Sequence, residues 1–194
     1  NPVSIWWVFL ASISLINVLS WIFTFQFYFR NPNKNLYPYV KILILLSAAY
    51  VFVCAFRSVL PRADVQRICL FDTWFSSVLV GRTLATVAEI CFVAQWALVL
   101  NTVAKLSKTK LVKKISLILV PLIVIAECFS WYAVITTHYL GNSFEESIWA
   151  VVYSLIPICL LFLLPKFKGV LKFATLIAIF GCILYVTFLV PVDV

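Results

Sequence analysis

The chain has 194 residues, of which 64% are hydrophobic and only 11% are charged, and its mean hydropathy is +1.10. Because about a quarter of the residues of a soluble domain are charged, this composition excludes an ordinary soluble domain and indicates a membrane protein. The formal net charge of +8 would suggest nucleic-acid binding in a soluble protein. Here the lysines lie in short connections between apolar stretches, so we expect no nucleic-acid partner.

Six apolar stretches have about the 20 residues that a membrane-spanning helix needs. They predict an all-α fold, a polytopic six-transmembrane-helix bundle that forms a single domain over residues 1–194. The first stretch lacks a basic leading region and a small-residue cleavage site, so it does not resemble a signal peptide. The chain contains no Met, and we expect it to begin downstream of a translation start. The helices are predicted at residues 5–29, 39–56, 77–103, 115–139, 145–164 and 170–190.

Alternate connections differ in charge, which predicts the topology. The first, third and fifth connections and their flanks hold eleven basic residues and no acids, whereas the other connections mix arginines with acids. Basic loops face the cytoplasm, so the visible N- and C-termini are predicted to be extracytoplasmic or lumenal. The eleven residues are Arg30, Lys34, Lys41, Lys105, Lys108, Lys110, Lys113, Lys114, Lys166, Lys168 and Lys172.

The longest connection covers residues 57–76 and contains Pro61 as a breaker. Its second half is apolar enough to be an interfacial helix or an extension of the third helix, and the sequence does not choose between these. Cys54 and Cys69 flank its first part and could form a disulfide on an oxidising side of the membrane. Three arginines in this segment either bind phosphate or lipid headgroups, or are solvated and paired with nearby acids: Arg57, Arg62 and Arg67.

Polar residues share one face of the third predicted helix. At about 100° per residue, Arg82, Thr86, Glu89 and Trp96 all fall within about 80° of one another. Ionisable groups inside a spanning helix are costly and mark a functional site or a buried pair. Arg82 and Glu89 therefore either form a structural clamp or contribute to a binding site.

The fourth predicted helix carries a second polar face, formed by Glu127, Trp131 and His138 within about 40° of one another. Glu89 and Glu127 each lie about 12 residues, or roughly 18 Å, from the start of their predicted helices. We therefore predict that the two carboxylates lie near the bilayer midplane on adjacent helices. Two carboxylates in a low-dielectric site do not readily both ionise, which suits either a proton relay or a structural hydrogen bond.

The sequence of the connection before the fifth helix indicates that one helix ends there and the next begins. Gly141 is a typical terminating residue, and Ser143 and Glu146 have the spacing of a capping box. Two acids, Glu145 and Glu146, would then lie in the first turn of the helix, where they complement its dipole.

These patterns lead to a functional hypothesis. We predict a buried polar pocket, open to the extracytoplasmic side, that binds and processes or translocates a small or amphipathic, lipid-like molecule. The alternative is a non-catalytic subunit or assembly factor of a larger membrane complex. The expected partners are the lipid bilayer, an amphipathic or anionic small molecule and other membrane proteins; no cofactor and no metal are predicted.

The candidate residues fall into two groups. Proton exchange is assigned to Glu89, Glu127 and His138, although a histidine at a helix end is also a common capping or solvated residue. Substrate binding is assigned to Arg82, Thr86, Trp96, Trp131, Arg57, Arg62 and Arg67.

Overall fold

The computed structural model describes residues 2–30, 37–63 and 68–189, and within them six helices are long and apolar enough to cross a membrane. This confirms the predicted fold class, an all-α polytopic membrane protein with six helices. That the chain forms a single domain stays a prediction. The helices are α1 (Pro2–Arg30), α2 (Tyr37–Val59), α3 (Val78–Leu106), α4 (Lys110–Thr136), α5 (Tyr139–Leu163) and α6 (Gly169–Leu184).

The connection between α2 and α3 is neither of the two helical alternatives that its composition suggested. It contains two antiparallel two-residue strands, β1 (Arg62–Ala63) and β2 (Ile68–Cys69), followed by a 3-10 turn at Trp74–Ser76. The backbone pairing satisfies polar groups that a helix would otherwise satisfy, so apolar composition alone did not identify the structure. Cys54 and Cys69 are free thiols.

The start of α5 differs from the expected one. The chain turns at Thr137, which has the left-handed φ of 56°, and α5 then begins at Tyr139. His138 is its N-cap, since His138 Nδ1 accepts a hydrogen bond from the Leu140 N–H at 3.4 Å. Ser143 lies inside the helix and donates to the Tyr139 carbonyl at 3.5 Å. The capping-box interpretation is therefore wrong.

The contacts within the chain divide it into two compact units, Asn1–Gln95 and Trp96–Val194, with the boundary inside α3. In the first unit α1 and α2 form an antiparallel pair. Trp7 Nε1 donates to the Val59 carbonyl at 3.0 Å, near the start of α1 and the end of α2. Further along α1, Trp21 Nε1 donates to Ser47 Oγ at 3.0 Å. Two indole N–H groups thus connect the pair, one at the end where α1 begins and one near the middle of α2.

In the second unit α4 and α5 form a tightly packed antiparallel hairpin. At Gly141 on α5, an added Cβ would lie 2.7 Å from the Phe129 carbonyl oxygen and 2.9 Å from Ala133 Cβ. Glycine is thus required because the backbones approach closely, not because the helix stops there. The buried residues of α4 form one stripe, Val112, Ser116, Leu119, Ile123, Ala126, Glu127, Ser130, Ala133 and Val134.

The last helix packs on α5 and changes its winding near its end. After Leu184 the helix continues as a π-helical turn, Tyr185–Leu189. The Tyr185 ring stacks on Tyr153 of α5 with centroids 4.0 Å apart. Such turns often mark functional positions in helices.

Candidate functional site

The second unit contains two buried carboxylates that lie close together, Glu127 on α4 and Glu145 on α5. Their relative exposures are 3% and 6%, and a carboxylate oxygen of one lies within 4.8 Å of a carboxylate oxygen of the other. Acidic side chains are rarely buried to this extent unless they are paired. Their proximity inside membrane-length helices makes them the centre of the candidate site.

Helix packing explains why these two groups meet. The buried positions of α5 begin with Gly141, Glu145, Trp149 and Val152, a spacing of four, four and three residues that follows one face of a helix. Glu145 therefore lies in the seam toward α4, one turn after the close contact at Gly141. On α4, Glu127 occupies the matching buried stripe.

The pair lies closer to the α4–α5 connection than to the other end of the hairpin. Glu145 is about 9 Å along the axis from the start of α5, and Glu127 is about 14 Å from the end of α4, at 1.5 Å per residue. The opposite end of α4, at Lys110, is about 25 Å from Glu127. Because α4 begins at Lys110 and not near residue 115, Glu127 is further from the lysine end than the sequence implied.

A second ionisable pair lies in the first unit, on α3. Arg82 Nη2 donates to Glu89 Oε2 at 3.4 Å, and the relative exposures of the two side chains are 7% and 20%. The residues are two helical turns apart, and helical side chains lean toward the N-terminus, so Glu89 leans toward Arg82. Arg82 and Glu89 thus share a face of α3 and form a direct ion pair. Whether the pair is a structural clamp or part of a binding site stays a prediction.

An aromatic chain leads from α5 to the end of α6. Trp149 packs against Tyr153 with centroids 5.6 Å apart, and Tyr153 stacks on Tyr185. The Tyr185 hydroxyl donates to Glu146 Oε2 at 3.2 Å. Glu146 thus has a hydrogen-bond partner on a different helix, beside the buried pair. The sequence offered no signal for the Tyr185 contact, because it joins residues 39 positions apart.

The remaining predicted residues occupy varied positions. Thr86 and Trp131 are half-buried on α3 and α4, and Trp96 lines an apolar cavity in the second unit. His138 is exposed and caps α5. The pairing of Glu89 with Glu127 stays a prediction, since the two residues belong to different units.

Of the three arginines of the long connection, Arg57 is the one whose side chain the structure describes. Arg57 is half-buried in the last turn of α2, and Arg62 begins β1. Arg67 lies outside the described residues, as does Asp64. Their assignment to phosphate or lipid headgroups stays a prediction.

Glu145 is the residue that sequence reasoning missed. Its expected place in a first helical turn indicated an acid that complements the helix dipole, and that interpretation did not predict its burial. The available signal was the Gly141, Glu145, Trp149 spacing, which continues the apolar face of α5 toward its N-terminus.

The helices and buried carboxylates together define a polytopic membrane protein with ionisable groups inside its apolar helices. Comparison of this chain with protein-family models, with curated proteins and with solved structures finds no match.

Proposed function

We propose that the protein binds and processes or translocates a small or amphipathic, lipid-like molecule at a buried polar site open to the extracytoplasmic side. The Glu127–Glu145 pair is the proton-exchanging centre of that site. The single observation that supports the proposal is the burial of both carboxylates, at 3% and 6% exposure, with oxygens within 4.8 Å of each other.

Ionising two buried carboxyl groups this close together is unfavourable in free energy. Two carboxylates at short distance in a low-dielectric site carry one negative charge more readily than two. The shared proton can then be given to a bound molecule or accepted from it, which is general acid–base chemistry. A merely structural hydrogen bond is available from neutral side chains without the cost of burying an ionisable group, so the presence of two carboxyl groups favours function.

Other residues have supporting roles in this proposal. His138 lies in the α4–α5 connection, which is the mouth of the site in this proposal. Because its Nδ1 accepts a backbone N–H, its Nε2 carries the proton in the neutral ring. Within the first unit, Arg82 tunes Glu89, its ion-pair partner. The predicted placement of the polar residues on one side of the membrane favours an enzyme over a carrier, since a carrier needs access from both sides.

Infrared spectroscopy of the full chain in lipid tests the proposal. We expect a protonated-carboxyl band that is lost or shifted in both Glu127→Gln and Glu145→Gln and that exchanges when the outer solution is replaced by heavy water. Glu146→Gln is the matched control, because Glu146 neighbours the pair in sequence and hydrogen-bonds Tyr185. A carboxyl band that persists unchanged in both variants, or that never exchanges, would contradict a proton-exchanging site.

The second candidate is a structural subunit of a larger membrane complex, and the exposed apolar surface of the first unit favours it. On α1, Ile5 and Phe23 are 72% and 70% exposed. If no carboxyl band exchanges with the outer solution and both Glu127→Gln and Glu145→Gln fold less stably than the native chain, this second candidate replaces the first.

A further inference from the structure

The end of the second unit opposite the buried carboxylates contains a basic cavity. It has a volume of about 280 Å³ and is formed by the last turn of α3, the α3–α4 connection and the first turn of α4. The sequence contains no Asp or Glu between residues 90 and 126, so nothing in this stretch neutralises the lysines. The lining residues are Ala104, Lys105, Lys108, Thr109, Lys110 and Lys113.

The connection that forms this cavity has a defined geometry. Lys108 adopts a left-handed φ of 55°, which turns the chain sharply between α3 and α4. A fifth lysine holds the turn from the α5–α6 connection: Lys166 Nζ donates to the Ser107 carbonyl at 2.8 Å and to Thr109 Oγ1 at 2.9 Å. The cavity also lies at the N-terminus of α4, where the helix dipole and backbone N–H groups favour an anion.

An apolar groove lies beside the basic cavity in the same unit. It has a volume of about 210 Å³ and is bounded by the second half of α3, the end of α5 and the start of α6. Val103 in the groove directly precedes Ala104 in the cavity, and Trp96 extends the groove for about 13 Å along α3 from Lys105. Residues that line the groove include Trp96, Val103, Leu160, Leu163, Leu171 and Ala174.

We propose that these two adjoining features form a binding site for an anionic phospholipid, with its phosphate in the basic cavity and one acyl chain in the groove. The site lies about 25 Å along α4 from Glu127 and is independent of the proposed catalytic pair. The lysines of the cavity favour an anionic ligand. The apolar groove, at the end of membrane-length helices, favours a lipid with an acyl chain. Basic pockets between spanning helices are a known type of site for such headgroups.

Binding of dioleoyl phosphatidic acid to the detergent-solubilised full chain, measured by native mass spectrometry, tests the headgroup. The variant is Lys108→Gln/Lys113→Gln, and the control Lys114→Gln/Lys172→Gln removes the same charge from residues outside the cavity. We expect roughly 30-fold weaker binding in the variant, from about 1 kcal/mol per lysine, and little change in the control. Equal losses in both would show diffuse attraction and would overturn a defined site.

A second pair of variants tests the acyl-chain groove. Ala174→Trp fills the groove, whereas Val170→Trp places the same side chain on α6 at a position that is 85% exposed and outside the groove. Displacing about two methylenes from the groove should weaken binding roughly tenfold, and only in Ala174→Trp. The proposal fails if the two variants bind equally well, or if inorganic phosphate and glycerol 3-phosphate compete as strongly as the lipid, because a soluble phosphate would then be the ligand.

Discussion

Gly141 of α5 lies so close to Ala133 of α4 that a Cβ at position 141 would be 2.9 Å from the Ala133 side chain and equally close to its backbone nitrogen. This contact sets the distance between the two helices one turn before Glu145. The proximity of Glu145 to Glu127 therefore depends on the absence of a side chain at position 141.

Substituting Gly141 should separate the hairpin. Gly141→Val forces the α4 backbone to move, and we expect a destabilisation of about 1–3 kcal/mol, the usual range for overpacking. Thermal or denaturant unfolding in detergent measures it. The control is Gly181→Ala on α6, where an added Cβ meets nothing within 4 Å; it should be neutral or stabilise the helix by about 0.5–1 kcal/mol. Equal effects of the two changes would show that the close contact does not limit the hairpin.

The two buried carboxylates should be energetically coupled. In a double-mutant cycle of Glu127→Gln and Glu145→Gln, we expect an interaction free energy of about 0.5–3 kcal/mol, as for residues within one hydrogen-bonded network. The measurement is the free energy of unfolding of the native chain, both single variants and the double variant. Strict additivity of the single effects would mean that the carboxyl groups do not share a proton.

Removing one partner of the Arg82–Glu89 pair should destabilise the fold more than removing both partners. Glu89→Gln removes the carboxylate that pairs with the Arg82 side chain, which is 7% exposed, and we expect a loss of about 3 kcal/mol in the free energy of unfolding, near the low end for a buried pair because Glu89 is partly exposed. Arg82→Met/Glu89→Gln should recover most of that stability. A double variant as unstable as Glu89→Gln alone would argue that Arg82 is needed for more than charge compensation.

The indole contacts between α1 and α2 should contribute modestly to stability. Trp21→Phe keeps the aromatic packing against Phe25 and Phe52 but removes the N–H donor to Ser47 and to the Ile44 carbonyl. We expect about 1 kcal/mol of destabilisation in the same unfolding assay, the net value of a typical hydrogen bond. Trp6→Phe, at a position that is 51% exposed, is the control and should change little.

The sequence predicted most of the fold because helix length and apolar content are properties of each segment alone. It also predicted that Arg82 and Glu89 share a face, since a helical repeat fixes which residues align, and these two side chains are in contact. The α2–α3 connection was not predictable in this way. Its strand pairing depends on backbone hydrogen bonds between residues 62–63 and 68–69, to which apolar composition gives no guide.

The candidate site was only half predictable. Glu127 stood out because it interrupts an apolar helix, whereas Glu145 followed a serine and a glycine in a pattern that favours a helix start. The local capping pattern favours a helix start near Ser143, but packing against α4 favours a helix that begins at Tyr139 and buries Glu145. The close fit of Gly141 against α4 is a property of two helices together, which neither segment reveals separately.

The short turn at Thr137 and His138 also has a consequence for biogenesis. Each buried glutamate would cost up to about 3 kcal/mol, the value for a charged residue at the helix centre, if its helix entered the membrane alone. Because α4 and α5 are joined by so short a turn, we expect them to leave the translocon as a preformed hairpin, with the two carboxylates already paired. Chains truncated after residue 137 should then insert α4 poorly, and extension through α5 should restore insertion, as glycosylation mapping would detect.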